Sequence, residues 1–163
     1  MKIVQSISDL PAKPAVYALY GGTRKKPYVA YVGVTGNLKN RINQHLIRRD
    51  SNITSGTSAV TLNPNFVTEV RWWRANKFHK KVVREAAEVV ALQVLEPTLR
   101  SRGLTTGLAL ELSTDPEFQN QMEVLFSGPP EGTLILPNLT DALDRIMQLE
   151  NKVETLESKL KKN

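Results

Sequence analysis

The chain has 163 residues, a formal charge of +6 and no cysteine. That length accommodates one domain of about 100 residues plus an appendage, and the lack of cysteine excludes disulfides and thiolate metal sites. The N-terminus lacks the charged and apolar regions of a signal peptide, and no apolar run reaches membrane-spanning length, so a cytoplasmic protein without membrane contact is expected.

The charge is unevenly distributed. Residues 1–102 carry 17 Lys/Arg against 6 Asp/Glu, a charge of +11, whereas residues 103–163 carry 5 against 10, a charge of −5. A basic domain followed by an acidic appendage points to a polyanionic partner for the first part. The plainer alternative is a lysine-rich solvated surface.

In chain order, residues 1–4 suggest a short edge strand, and Pro11 and Pro14 an irregular approach. Ala15-Val16-Tyr17-Ala18-Leu19-Tyr20 is apolar and partly aromatic and predicts a strand that Gly21-Gly22 ends. A basic loop with Arg24, Lys25 and Lys26 leads into a second strand over 28–34. The two form an antiparallel hairpin with a longer loop, in which Tyr17 and Tyr31 stand on the same face. Leu38, Ile42 and Leu46 recur at helical spacing and predict a helix over 38–49, with Asn37 as N-cap. Arg41 and His45, four apart, share a face of it.

Residues 50–65 are rich in Ser, Thr, Asn and Gly and predict a loop. Phe66, Val67, Val70, Trp72 and Trp73 predict a third strand over 66–74. Adjacent Trp72 and Trp73 face opposite sides: one belongs to the core, and the other is a candidate for stacking on an exposed base. Residues 80–95 predict a second helix, with Val83, Ala87, Val90 and Val94 on one face and Pro97 as its stop. Residues 103–137, with Pro116, Pro129, Pro130 and Pro137, suggest a linker holding one short helix near 117–125. In the last stretch (138–163) Leu139, Ile146, Val153 and Leu160 are seven apart, as are Ala142, Leu149 and Leu156, which is a coiled-coil seam.

Ala15-Val16-Tyr17, then Tyr31-Val32-Gly33 fourteen residues after Tyr17, then Asn37-Leu38, Arg41 and His45, resemble the GIY-YIG nuclease domain. Glu88, nine residues before Pro97, resembles the metal-binding glutamate of that family. Three departures stand out: Ala15 replaces the first glycine of the motif, Val34 stands where some members have a lysine, and Arg100 stands where many have an asparagine. The resemblance covers residues 14–102. It implies an α/β (α+β) fold with a small three-stranded antiparallel sheet flanked by helices, here followed by a linker and a C-terminal coiled-coil helix. It also implies cleavage of nucleic-acid phosphodiesters with one divalent cation, Mg²⁺ or Mn²⁺.

Each candidate residue has a chemical role and a plainer one. Glu88 suits a hard cation that takes oxygen ligands. Alternatively it pairs with Arg84, and the helix pattern alone does not choose between Glu85 and Glu88, although the spacing to Pro97 favours Glu88. Arg41 suits bidentate phosphate contact and charge stabilisation in the transition state; otherwise it is a solvated helix arginine. His45 suits a general base, or a structural role. Tyr17 and Tyr31 position a water or relay its proton, or are simply core aromatics. Arg24, Lys25, Lys26, Arg48, Arg49 and Arg100 are candidates for holding nucleic-acid backbone phosphates.

Three functions follow as expectations. The first is a metal-dependent DNA endonuclease, dimerised through residues 139–160. The second is a nucleic-acid binding module without activity. The third is an assembly protein whose coiled coil is its main function.

Overall fold

In the computed structural model, which describes residues 1–23, 26–55, 61–99, 105–137 and 139–160, the chain builds a five-stranded mixed sheet with helices on both faces. The strands are β1 (Lys2–Val4), β2 (Ala15–Thr23), β3 (Lys26–Thr35), β4 (Glu69–Trp73) and β5 (Gly132–Ile135). Their order is β1-β5-β4-β2-β3; β1 and β5 run parallel and the other pairs antiparallel. The helices are α1 (Leu38–Asn43), α2 (Lys81–Leu95), α3 (Gly107–Thr114), α4 (Pro116–Ser127) and α5 (Leu139–Leu160). Among the described residues no helix is long and apolar enough to cross a membrane.

The expected three-stranded antiparallel sheet is therefore wrong: β5 and β1 extend it to five strands and make it mixed. Both added strands are too short to show an alternating pattern, and their parallel pairing joins residues about 130 apart in the chain, which no local signal carries. The join is tight, because a Cβ on Gly132 would lie 2.1 Å from Cζ2 of Trp72. The linker expectation fails for the same stretch. Residues 107–135 hold α3, α4 and β5, and only Pro137 and its neighbours separate the sheet from α5. Pro116, counted among the linker prolines, sits in the first turn of α4, where its missing N–H costs nothing, and Asp115 caps that turn by accepting from the Phe118 N–H at 2.8 Å.

β2 is an interior strand, between β4 and β3, and is buried on both faces over Ala15–Tyr20. Alternation sends Ala15, Tyr17 and Leu19 toward one face, where they pack with Trp72 and with Leu38 and Ile42 of α1. Val16, Ala18 and Tyr20 face the other side, against Trp73, Ala86, Ala87 and Val90 of α2, and Phe118, Met122 and Phe126 of α4. Both tryptophans are core residues, 1% and 2% exposed, so neither is placed to stack on a base. Trp73 meets Phe126 edge to face at 5.7 Å. The free edge of β3 is covered by the chain leaving α2, whose Thr98 and Leu99 N–H groups donate to Val29 and Ala30 carbonyls, an arrangement that blunts edge pairing.

Candidate active site

Gly33 sets the geometry of the two tyrosines. Tyr17 pairs with Gly33, and Tyr31 stands two residues earlier on β3, on the same face. The bare glycine lets the Tyr17 ring lie across its neighbour strand. The phenol rings are then 6.3 Å apart, centroid to centroid, and His45 completes a triangle at 5.7 Å from Tyr17 and 5.9 Å from Tyr31.

The turn from β3 into α1 delivers the arginine and the histidine. Asn37 is the N-cap, its side chain accepting from the Asn40 N–H at 3.0 Å. The orphan N–H groups of Leu38 and Lys39 are taken by the Lys13 and Pro11 carbonyls. The expected helix over 38–49 is not uniform: α1 passes into a π-helical turn, Gln44–Arg48, and Arg49 ends it in the left-handed region at φ 56°. Wider turns of this kind recur at functional sites.

His45 is fully buried and both ring nitrogens are engaged. Nε2 is 2.7 Å from Tyr17 Oη, and Nδ1 is 2.7 Å from Ser51 Oγ. Burial first, and the Arg41 guanidinium second, lower its pKa to about 3, so the ring is neutral at working pH. For the expected general base, the structure places the His45 ring in the core, bonded to Tyr17 and Ser51.

Arg41 is half-buried, and its Nη1 donates to Gln44 Oε1 at 3.2 Å. Burial opposes its charge, but the Tyr17 and Tyr31 phenols accept from it and more than offset that, so its pKa rises. Burial also raises the Tyr17 pKa well above the ordinary phenol value, with Tyr31 adding to the rise and Arg41 opposing it.

Glu88 comes from α2, the helix on the opposite face of the sheet, and reaches the same electrostatic neighbourhood. Its pKa is raised to about 7, first by burial and then by Glu85, against the pull of Arg41. The alternatives left open by the helix pattern now separate. Arg84 is spent on the carbonyls of Phe78 and His79, at 2.6 and 3.0 Å. Glu85 accepts from Thr106 Oγ1 at 2.9 Å and pairs with Lys81 at 3.5 Å. Glu88 makes no such bond among the described residues. Nor do those residues contain any group of three or more His, Asp or Glu poised around one metal position.

Tyr17, Tyr31, Arg41 and His45 thus converge, and Glu88 lies within electrostatic reach of Tyr17 and Arg41. Of the basic candidates, the described Lys26, Arg48 and Arg49 do not join them. Arg48 pairs with Asp50 at 2.5 Å, Arg49 donates to Asn65 Oδ1 at 2.7 Å, and Lys26 is exposed at the start of β3. Arg24, Lys25 and Arg100 lie outside the described residues. Ser51 and Thr54 escaped the sequence reading: they fall in a stretch that predicts a loop, yet Ser51 is 3% exposed and bonded to His45. No family model, curated protein or solved structure matches this chain.

Proposed function

We propose that this protein is a metal-dependent endonuclease that hydrolyses DNA phosphodiesters at the Tyr17–Tyr31–Arg41–His45–Glu88 cluster. One observation supports the reading above the others. A half-buried carboxylate with a pKa raised to about 7 shares its field with a guanidinium backed by two phenols. A carboxylate without a bonded cation beside it is a costly arrangement for a purely structural residue, and a favourable one for a group that receives a cation.

The residues present fit a single divalent cation. Glu88 would hold it, with the remaining positions left to water and to substrate oxygens, as hard cations of the Mg²⁺ type prefer. When bound, such a cation would neutralise charge on the phosphate and favour ionisation of a nucleophilic water. Arg41 donates to the phosphate oxygens, and its fork geometry suits the charge that develops there. Tyr17 and His45 hold Arg41 from behind, while Tyr31 flanks it from β3. The exposed Lys26, and Arg24, Lys25 and Arg100, supply further phosphate contacts on the basic part of the chain, and the cysteine-free composition suits a reducing cytoplasm.

The acidic C-terminal helix supports a homodimer. Ile146, Leu149, Val153 and Leu156 occupy the seam and are each about half exposed, uncovered by the rest of the chain. β-Branched residues at a with Leu at d favour two parallel strands. Arg145 and Lys152 at g then meet Glu150 and Glu157 at the partner's e positions. Two basic domains would meet one DNA.

The test is nicking of supercoiled plasmid with Mg²⁺ or Mn²⁺ by the full chain and by Glu88→Ala. Nicking by the wild type alone is expected. Equal nicking by both rejects the site, and a salt-sensitive gel shift without cleavage points to the inactive binding module.

A further inference from the structure

We infer that Ser51 and Thr54 are positioning residues that hold His45 as its Nδ1–H tautomer, so that Tyr17 donates its only proton to Nε2 and offers lone pairs alone to Arg41. The consequence for catalysis rests on the endonuclease reading above; the tautomer does not.

The direction of every proton follows from the far end of the chain of bonds. Thr54 Oγ1 donates to the Ser51 carbonyl at 3.1 Å, which uses its single proton. Thr54 Oγ1 is also 2.6 Å from Ser51 Oγ, so in that second bond it accepts and Ser51 donates. The Ser51 hydroxyl proton is then spent, and toward His45 Ser51 Oγ accepts. Nδ1, 2.7 Å away, therefore carries hydrogen. A neutral imidazole has one donor nitrogen, so Nε2 is bare and accepts from Tyr17 Oη at 2.7 Å. Burial keeps the ring neutral, which excludes the doubly protonated form.

The reverse order is disfavoured at Tyr17. If Ser51 donated to Nδ1, Thr54 would turn its proton to Ser51 Oγ and leave the Ser51 carbonyl to the Thr54 and Ser55 N–H groups, which already donate to it at 2.9 Å. Nε2 would then carry hydrogen toward Tyr17, whose own proton would lie in competition with the Arg41 donors. An arginine cannot accept, so a Tyr17 proton directed at it is repelled. The first order instead aligns four bonds in one sense and leaves Tyr17 an acceptor where the guanidinium stands. Loop residues 51 and 54 thereby set the placement of Arg41 through two intervening side chains.

The chain contains two histidines, and His79 is exposed, so ring signals are assigned with a His79→Gln variant. Two-bond proton–nitrogen correlations on the ¹⁵N-labelled full chain read the tautomer directly. The wild type is expected as Nδ1–H. Ser51→Ala removes the acceptor of that proton, and Thr54→Val frees the Ser51 proton for Nδ1; both are expected to move His45 toward Nε2–H, while Ser51→Thr restores the wild-type pattern. Near-ultraviolet circular dichroism confirms that the variants are folded. In cleavage assays Thr54→Val is expected to lower kcat about 10-fold with KM for DNA within about twofold. A wild-type Nε2–H ring, or an unchanged tautomer in both variants, overturns the inference. A shifted tautomer with unchanged kcat overturns the positioning role. A wild type that binds but never cleaves DNA removes the endonuclease reading and leaves the tautomer result standing.

Discussion

Tyr17 lies across Gly33 so closely that a Cβ at that glycine would sit 2.7 Å from the Tyr17 hydroxyl oxygen and 2.9 Å from Cε1 of Tyr31. The β3 glycine is thus a matter of space at a strand crossing, and it explains why a glycine two residues after Tyr31 accompanies a tyrosine on the facing strand. Gly33→Ala must displace both phenols. Overpacking of this kind costs about 1–3 kcal/mol, read by urea unfolding. Because Tyr17 backs Arg41, cleavage is expected to fall more than the stability loss would explain. A variant with wild-type stability and turnover would show that the crossing has no consequence.

His45 and Glu88 have opposite effects on stability as pH changes. The folded-state pKa of His45 falls from 6.5 to about 3, so its contribution is present above pH 6.5 and is lost as pH drops toward 3. The folded-state pKa of Glu88 rises from 4.5 to about 7, so its contribution is present below pH 4.5 and is lost as pH climbs toward 7. Each slope is about 1.4 kcal/mol per pH unit, and between pH 4.5 and 6.5 they cancel. Glu88→Gln removes one of them. Its unfolding free energy should therefore rise with pH across that window by about 2 to 3 kcal/mol more than the wild type's. Parallel pH profiles for the two proteins would contradict the shifts.

Proton competition at Glu88 governs cation uptake. Below pH 7 a cation must displace the carboxyl proton, so the half-saturating Mg²⁺ concentration for cleavage should fall by about tenfold per unit from pH 5 to 6, and change little above pH 8. With one protein carboxylate, calorimetry on the free protein should detect only weak Mg²⁺ binding. Tight binding without DNA would mean a second ligand.

The tail predicts an association that one charge disrupts. Light scattering should give a dimer for the full chain at micromolar concentration and a monomer for Ile146→Asp, with the sheet domain still folded by circular dichroism. About three heptads make a marginal helix without a partner, so α5 should lose helicity on dilution. A monomeric wild type would reject the dimer. Truncation after residue 102 is not a usable control, because it deletes β5 from the sheet and α4 from the core.

Local pattern alone determined the pairing of β2 with β3, though not its loop, since Gly21 and Gly22 stay in β2 and Thr23 pairs with Lys26; it also determined the N-cap at Asn37, the helical run ending before Pro97, and the shared face of Tyr17 and Tyr31. Each depends on residues within about twenty positions and on a period of 2 or 3.6. The tertiary structure decided the rest. It added β1 and β5, since a three-residue and a four-residue strand carry no period and pair across almost the whole chain. It buried both tryptophans, because helices cover both faces of the sheet. It separated Glu88 from Glu85 through Arg84, Thr106 and Lys81, partners that lie on one helix or beyond it and that helical spacing treats alike. It also turned His45 inward onto Tyr17 and Ser51. A histidine beside an arginine on a helix has the same sequence whether its ring meets solvent or core, and only the packing of the π-helical turn against β2 makes that choice.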